Sequence, residues 1–320
     1  MPASIDRRLI MGLAYGVVTV LMWAGWSVVS RRAALGGMDA FDVTALRFLV
    51  AGAISVPLLM RRRIGRQGIS RPGGGTLPWR AVVLMFIGAG IPYCIVSLGG
   101  FAFAPAGHGA LQVPSTVMIL TTLYAALFLG ERPRPRGLLG LGAVLAGAVI
   151  VGLSGLAGEM EPGAWRGHVL FFLAAVCWAT FTLAARIYRV DALTATAAVA
   201  VLSALVYLPP YFIVTGARLW HQPLNELLLQ GLYQGLIAGV LAIITFTKTI
   251  EHLGAPRAAL FPAMVPVLSN LLAVPVLGEP LTTTTIAGMV LISSGMVLAM
   301  SSGVVQRPTS GVTAGRAGAT

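Results

Sequence analysis

The sequence predicts an all-α polytopic membrane protein of ten transmembrane helices in two inverted five-helix repeats. Three observations predict it. The 320-residue chain is 57% hydrophobic and only 10% charged, with a mean hydropathy of +0.87, whereas a soluble domain shows water a charged complement of roughly a quarter of its residues. Its apolar residues fall into ten runs, each long enough to cross a hydrocarbon core of ~30 Å as a helix. Residues 107–153 recur as residues 255–301 at a constant offset of 148: Ala110, Pro114, Val117, Leu120, Leu123, Ala125, Leu129, Gly130, Glu131, Gly140 and Gly147 return as Ala258, Pro262, Val265, Leu268, Leu271, Ala273, Leu277, Gly278, Glu279, Gly288 and Gly295. An internal repeat near half the chain, written in apolar residues, is the usual signature of a secondary transporter with its substrate site between the repeats.

The runs lie at 9–29, 43–60, 81–103, 110–129, 138–156, 167–185, 194–214, 227–247, 258–277 and 283–300. Arg7 and Arg8 ahead of the first resemble a signal peptide, but the stretch is too long for an h-region and lacks a small-x-small cleavage site, so it reads as a retained helix. It carries Trp23 and Trp26 in mid-span, on one face with Thr19. The second run holds Arg47 about one turn inside its end, and the Arg- and Gly-rich residues 61–80 form the one long loop. Tyr93 lies in the third run, and Gln112, Pro114 and Thr116 in the fourth; Glu131 precedes the fifth. The second repeat opens with the sixth run and its Trp178. Gln234 follows in the eighth run, Pro262 and Asn270 in the ninth, and Glu279 precedes the tenth. The repeats thus span 9–156 and 167–300, and since five is odd, they are inverted. Residues 301–320 lack apolar periodicity and are expected to be disordered. The 39 glycines let helix backbones approach closely in lipid. A β-barrel is excluded, because its strands would alternate polar and apolar residues.

A formal charge of +12 could suggest nucleic acid, but the positions of the charges argue otherwise. Arg61, Arg62, Arg63, Arg66, Arg71 and Arg80 crowd one loop, Arg132, Arg134 and Arg136 another, and Arg186 and Arg189 a third. With Arg7, Arg8, Lys248, Arg257, Arg307 and Arg316, 17 of the 22 basic residues fall on one side, against Arg31, Arg32, Arg166 and Arg218 opposite. The positive-inside rule then puts both termini in the cytoplasm. Cys94 and Cys177 sit inside apolar runs as small hydrophobes, and no disulfide, metal site or cofactor is expected.

Gly130-Glu131-Arg132-Pro133, Gly278-Glu279-Pro280-Leu281-Thr282, Leu46-Arg47-Phe48-Leu49 and Arg257-Ala258-Ala259-Leu260-Phe261-Pro262 resemble the EamA family of the drug/metabolite transporter superfamily, across roughly residues 10–300. The resemblance implies two EamA repeats and a central cavity built by helices one to four and six to nine. It also implies a permease of the bacterial inner membrane that exports small metabolites such as amino acids.

Each candidate residue has a functional and a plainer reading. Arg47 is either an anchor for a substrate carboxylate or a snorkelling arginine paired with Asp39, Asp42 or Glu279. Glu131 and Glu279 read as caps on helices five and ten, complementing the positive end of the helix dipole, with proton coupling as the alternative. Trp23, Trp26 and Trp178 read as a cavity wall, joined by Tyr93, Gln112, Thr116, Gln234 and Asn270, each of which could instead satisfy another helix. Pro114 and Pro262 are expected to be hinges of opposite gates. A non-transporting receptor or scaffold would keep the bundle without polar residues converging between the repeats. An intramembrane serine protease is suggested only by Gly152-Leu153-Ser154-Gly155 and His168. No P-loop is present, and small residues on helices five and ten can support a homodimer.

Overall fold

The computed structural model describes residues 7–61, 77–128, 130–153, 162–216, 218–302 and 304–306. Ten helices among them are long and apolar enough to cross a membrane: α1 Arg7–Leu35, α2 Ala40–Arg61, α3 Trp79–Gly100, α4 Ala106–Phe128, α5 Pro135–Leu153, α6 Ala164–Ile187, α7 Ala192–Thr215, α8 Leu224–Leu253, α9 Pro256–Leu277 and α10 Thr283–Ser302. The chain is a multi-pass membrane protein. Several helices outrun their apolar cores because polar residues carry them on: α1 has 29 residues and α8 has 30, about 45 Å at ~1.5 Å per residue. At the start of α7, Asp191 accepts from the Thr194 amide at 3.0 Å and satisfies one free donor of the first turn.

An even number of spans puts the start of α1 and the end of α10 on one face, called here the terminal face, with the distal face opposite. At the terminal face, β1 (Glu131–Pro133) pairs antiparallel with β2 (Val304–Gln306). The start of the tail is therefore ordered, contrary to the expectation for 301–320, because its backbone finds a partner in the segment between α4 and α5. Residues 307–320, most of the basic loop (62–76) and Ser154-Gly155 lie outside the described residues.

The repeats meet most closely where α5 packs on α10. A Cβ on Gly140 would lie 2.6 Å from the Ala299 amide nitrogen and the Gly295 carbonyl oxygen, and one on Gly147 would lie 2.9 Å from the Gly288 carbonyl oxygen. Gly140 and Gly288 are repeat mates, as are Gly147 and Gly295, so each repeat offers the other the same two notches. Backbone contact this close is what small residues allow in lipid. These four glycines are thus used within one chain, while Gly142 on the same helix faces open space. Gly140→Val is expected to lower the melting temperature in detergent, since its obstacle is backbone and such overpacking costs about 1–3 kcal/mol. Gly142→Ala, with nothing within 4 Å of its Cβ, should leave melting unchanged.

Candidate functional site

Among the described residues, the third helix of each repeat departs from α-geometry in mid-span. In α3 the helix breaks at Gly90 (φ −91°, ψ −142°) and restarts with Pro92 in its first turn. Pro92 has no amide hydrogen to continue the ladder, and a Cβ on Gly90 would come within 2.8 Å of Ser203 Oγ. In α8, Gly231–Leu241 winds as a π-helix, a rare geometry associated with functional sites. There, a Cβ on Gly235 would lie 2.5 Å from Val50 Cβ of α2. Irregular backbone at membrane depth is tolerated where it is buried in protein or lines a cavity, and matched irregular helices in the two halves of a transporter mark its binding site.

Arg47 lies on α2 beside this break, half-buried, and its charge acts on Tyr93 and Cys94 of the restarted half of α3. None of the carboxylates expected to pair with it is available. Arg218 holds Asp39 (2.8 Å) and Asp42 (2.6 Å), Arg31 holds Glu279 (3.2 Å), and Arg32 holds Glu226 (2.6 Å). Among the described residues, Arg47 has no ion pair or hydrogen bond, so the pairing with Asp39, Asp42 or Glu279 is not found. Thr44 and Ser203, on α2 and α7, also bury hydroxyl oxygens that lack hydrogen-bond partners among the described residues.

Tyr93 and Trp178 bring α3 and α6 together, with ring centroids 5.0 Å apart. Trp26 sets its edge against Phe101 at 5.6 Å. All three of these expected wall residues belong to, or pack on, one buried apolar cluster that also includes Leu46, Phe48 and Phe171. Thr116 is half-buried on α4 and has no hydrogen bond among the described residues.

Other expected site residues are occupied elsewhere. Gln234 is fully buried; it accepts from the Trp26 indole at 2.7 Å and donates to Ser30 Oγ at 2.9 Å. It therefore joins α8 to α1, and Trp26 contributes its ring with its N–H already used. Trp23 leans on Phe246 at 5.1 Å, away from that cluster. Gln112 is bonded to His168, and Asn270 donates to the Pro266 carbonyl at 2.8 Å and the Gly107 carbonyl at 3.4 Å. In hydrocarbon these amides found helix partners, the plainer of the two readings. Trp26→Phe should keep the ring but strand Gln234 Oε1, lowering stability by about 1–3 kcal/mol, readable as a thermal shift.

The two prolines differ. Pro114 sits within the continuous α4, whereas Pro262 starts a 3₁₀ turn, Phe261–Met264, before α9 becomes α-helical at Val265. Neither glutamate caps the helix it precedes, which corrects that expectation. Glu279 accepts from the Ala106 amide (2.9 Å) at the start of α4 and from Arg31 at the end of α1. Glu131 takes Arg186 at the end of α6. In each repeat, then, an arginine closing the first helix reaches the glutamate of the other repeat. The shared position of Arg31 and Arg186, eight residues after Trp23-Ala24 and Trp178-Ala179, was the sequence signal for this symmetry. The mates differ in exposure: Arg31 and Glu279 are 16% and 15% exposed, while Arg186 is 54% exposed. The distal face is tied across the repeats by this pair, by Arg32 to Glu226 and by Arg218 to Asp39 and Asp42.

One cluster escaped sequence reasoning. His108 and His168, 60 residues apart, meet in the bundle at 3.4 Å between Nδ1 and Nε2. No local spacing links them, because α4 and α6 belong to different repeats. His168 is thus engaged with His108 and Gln112. Among the described residues, no group of three or more His, Cys, Asp or Glu could hold a metal ion.

The model of the EamA-like transporter family matches residues 10–153 and 165–301. An uncharacterized protein of Pseudomonas aeruginosa is 29% identical, over 92% of this chain and 96% of its own length. An aromatic amino acid exporter of Ancylobacter novellus is 27% identical, over 53% of this chain and 56% of its own length, and a probable amino-acid metabolite efflux pump of Salmonella typhimurium is 25% identical, over 88% and 92%. A crystal structure of 23% sequence identity superposes with a TM-score of 0.59, over 90% of this chain and 95% of that one, a likeness of fold.

Proposed function

Because the chain belongs to the EamA-like transporter family, we propose that it is a permease of the bacterial cytoplasmic membrane that exports a small amino acid or related metabolite. It performs no covalent chemistry and works by alternating access between its inverted repeats, with both termini in the cytoplasm. The observation that carries the substrate class is Arg47: a membrane-embedded guanidinium without an ion pair among the described residues, beside Tyr93 and next to the break in α3. An unpaired charge at membrane depth is costly unless it meets a ligand, water or another partner. A guanidinium presents a fork that matches a carboxylate. The Tyr93–Trp178 rings beside it suit an apolar or aromatic side chain on the same solute. The two relatives named for amino acid export agree with this class.

The ion pairs supply the two faces of the cycle. In this conformation Arg31–Glu279 ties the distal face, while its mate at the terminal face joins a half-exposed Arg186 to a buried Glu131. Opening the distal face requires the buried pair to part, and Pro114 and the 3₁₀ turn at Pro262 act as hinges where the helix ladder is already weakened. The test is counterflow. Purified protein in liposomes loaded with a mixed amino acid extract should release one or a few of them selectively, as read by mass spectrometry. Retention of every solute by correctly folded protein would overturn the reading.

A further inference from the structure

We infer that His108 and His168 form a single-proton site that couples proton movement to transport. This inference rests on the transporter reading above. His108 is 5% exposed and His168 is 9% exposed, and the hydrogen bonds around them run in one direction. Gln112 Nε2 donates to the His168 carbonyl oxygen at 2.8 Å, which turns Gln112 Oε1 toward His168 Nδ1 at 2.6 Å. An amide oxygen only accepts, so His168 Nδ1 carries a hydrogen. In the neutral ring, Nε2 is then bare and accepts from His108 Nδ1–H at 3.4 Å. His108 Nε2 is bare in turn and accepts from the Thr285 hydroxyl at 3.3 Å. The network is complete with both rings neutral.

A proton has one place to go. At His108 Nε2 it makes a new donor, which the Thr285 oxygen accepts after its hydroxyl turns toward Thr282, 3.0 Å away. At His168 Nε2 it would face the hydrogen already on His108 Nδ1. A second proton would put two charged rings in contact, so the pair binds one proton in this geometry. The charged groups on the neighbouring elements are committed elsewhere: Glu279 and Arg31 to each other and to the start of α4, and Arg166 over the rings of Phe103 and Trp165, at 5.9 and 5.8 Å.

The placement makes the site a coupler. His108 and Gln112 come from the first repeat, and His168 and Thr285 from the second. Any rearrangement between the repeats that separates α4 from α6 or α10 changes how well a proton is held. A proton held better in one conformation than in the other biases the cycle by the difference, which is what coupling requires.

Two measurements on the full-length protein decide it. In nanodiscs with ¹⁵N-labelled imidazoles, assigned through His108→Gln and His168→Gln, the pair should take up one proton as the pH is lowered from about 8 to 3 and keep its second ring neutral. If neither ring titrates, or both charge fully in that window, the site is not what is inferred. In liposomes containing pyranine, wild-type efflux of tritiated phenylalanine should carry protons the other way, with one pH unit supporting about tenfold accumulation at one-to-one coupling. His108→Gln should still exchange phenylalanine but no longer respond to the gradient. Exchange without proton movement in the wild type, or coupling that survives in both glutamine variants, would overturn the inference and leave the exporter reading intact. Absence of wild-type phenylalanine exchange would remove the coupling role, while the spectra would still decide the proton site. Should both glutamine variants misfold, Thr285→Val provides the check: without the acceptor for the new N–H, the pH midpoint of wild-type-like exchange should fall by about one unit. An unmoved midpoint counts against the site.

Discussion

Replacing Arg47 with alanine is expected to slow counterflow by about a hundredfold while leaving the protein folded. Truncating one partner of a desolvated, hydrogen-bonded charge pair costs about 2–5 kcal/mol, and that cost falls here on the bound substrate because Arg47 has no ion pair within the described chain to lose. Its melting temperature should therefore match that of the wild type. Arg47→Lys keeps the charge but loses the fork, so it should recover part of the rate and show a raised KM for the carboxylate. A wild-type rate in Arg47→Ala would remove this residue from the site, and a large loss of stability would return it to a structural role. The neighbouring Trp178→Ala should weaken aromatic solutes more than small ones, since only they reach the Tyr93–Trp178 rings.

The bundle was legible because membrane spans are written redundantly. Ten apolar runs and the offset of 148 each required the same ten helices, and the repeated glutamates pointed to matched positions. Arg31 and Arg186 were visible as equivalent, but their partners were not, because each reaches a glutamate of the other repeat. The site was harder to read for the same reason. A lone Gln112, Gln234 or Asn270 announces only that some partner is needed, and the partner lies on another helix at unknown rotation: His168, Trp26 and Gly107 in turn. His108 and His168 looked scattered, since tertiary packing and no local period unites them. The break at Gly90-Pro92 had a signal in its residue types, whereas nothing in Gly231–Leu241 distinguishes a π-helix from an α-helix.

Arg31→Ala is expected to be the most destabilising of the ion-pair variants, and its defect should grow as the pH rises. The Arg31–Glu279 pair is mostly shielded from water, and deleting one member of such a pair costs about 3 kcal/mol or more, because the other charge is left buried without compensation. Its repeat mate shares the chemistry but differs in one partner: Arg186 is 54% exposed while Glu131 is only 10% exposed, so Arg186→Ala leaves a carboxylate as buried as Glu279 and should cost less than Arg31→Ala only by what water at the rim recovers. The pH dependence follows from Glu279. Burial pushes its carboxyl above the ordinary glutamate value, and Arg31 together with the Ala106 amide pulls it only part of the way back. A carboxyl raised in the folded state contributes stability that is complete below the unfolded glutamate value and is lost as the pH climbs through the folded one. Without Arg31 the folded value rises further, so the loss extends toward neutral pH. Arg31→Ala should therefore melt closest to the wild type near pH 5 and furthest from it near pH 8, and adding Glu279→Gln should flatten the dependence by removing the buried charge. If the single variant melts equally far below the wild type at both pH values, desolvation of Glu279 does not set the strength of the distal closure. The hydrogen bonds from Arg31 to Glu279 and to the Phe101 carbonyl (2.6 Å) would then carry it instead.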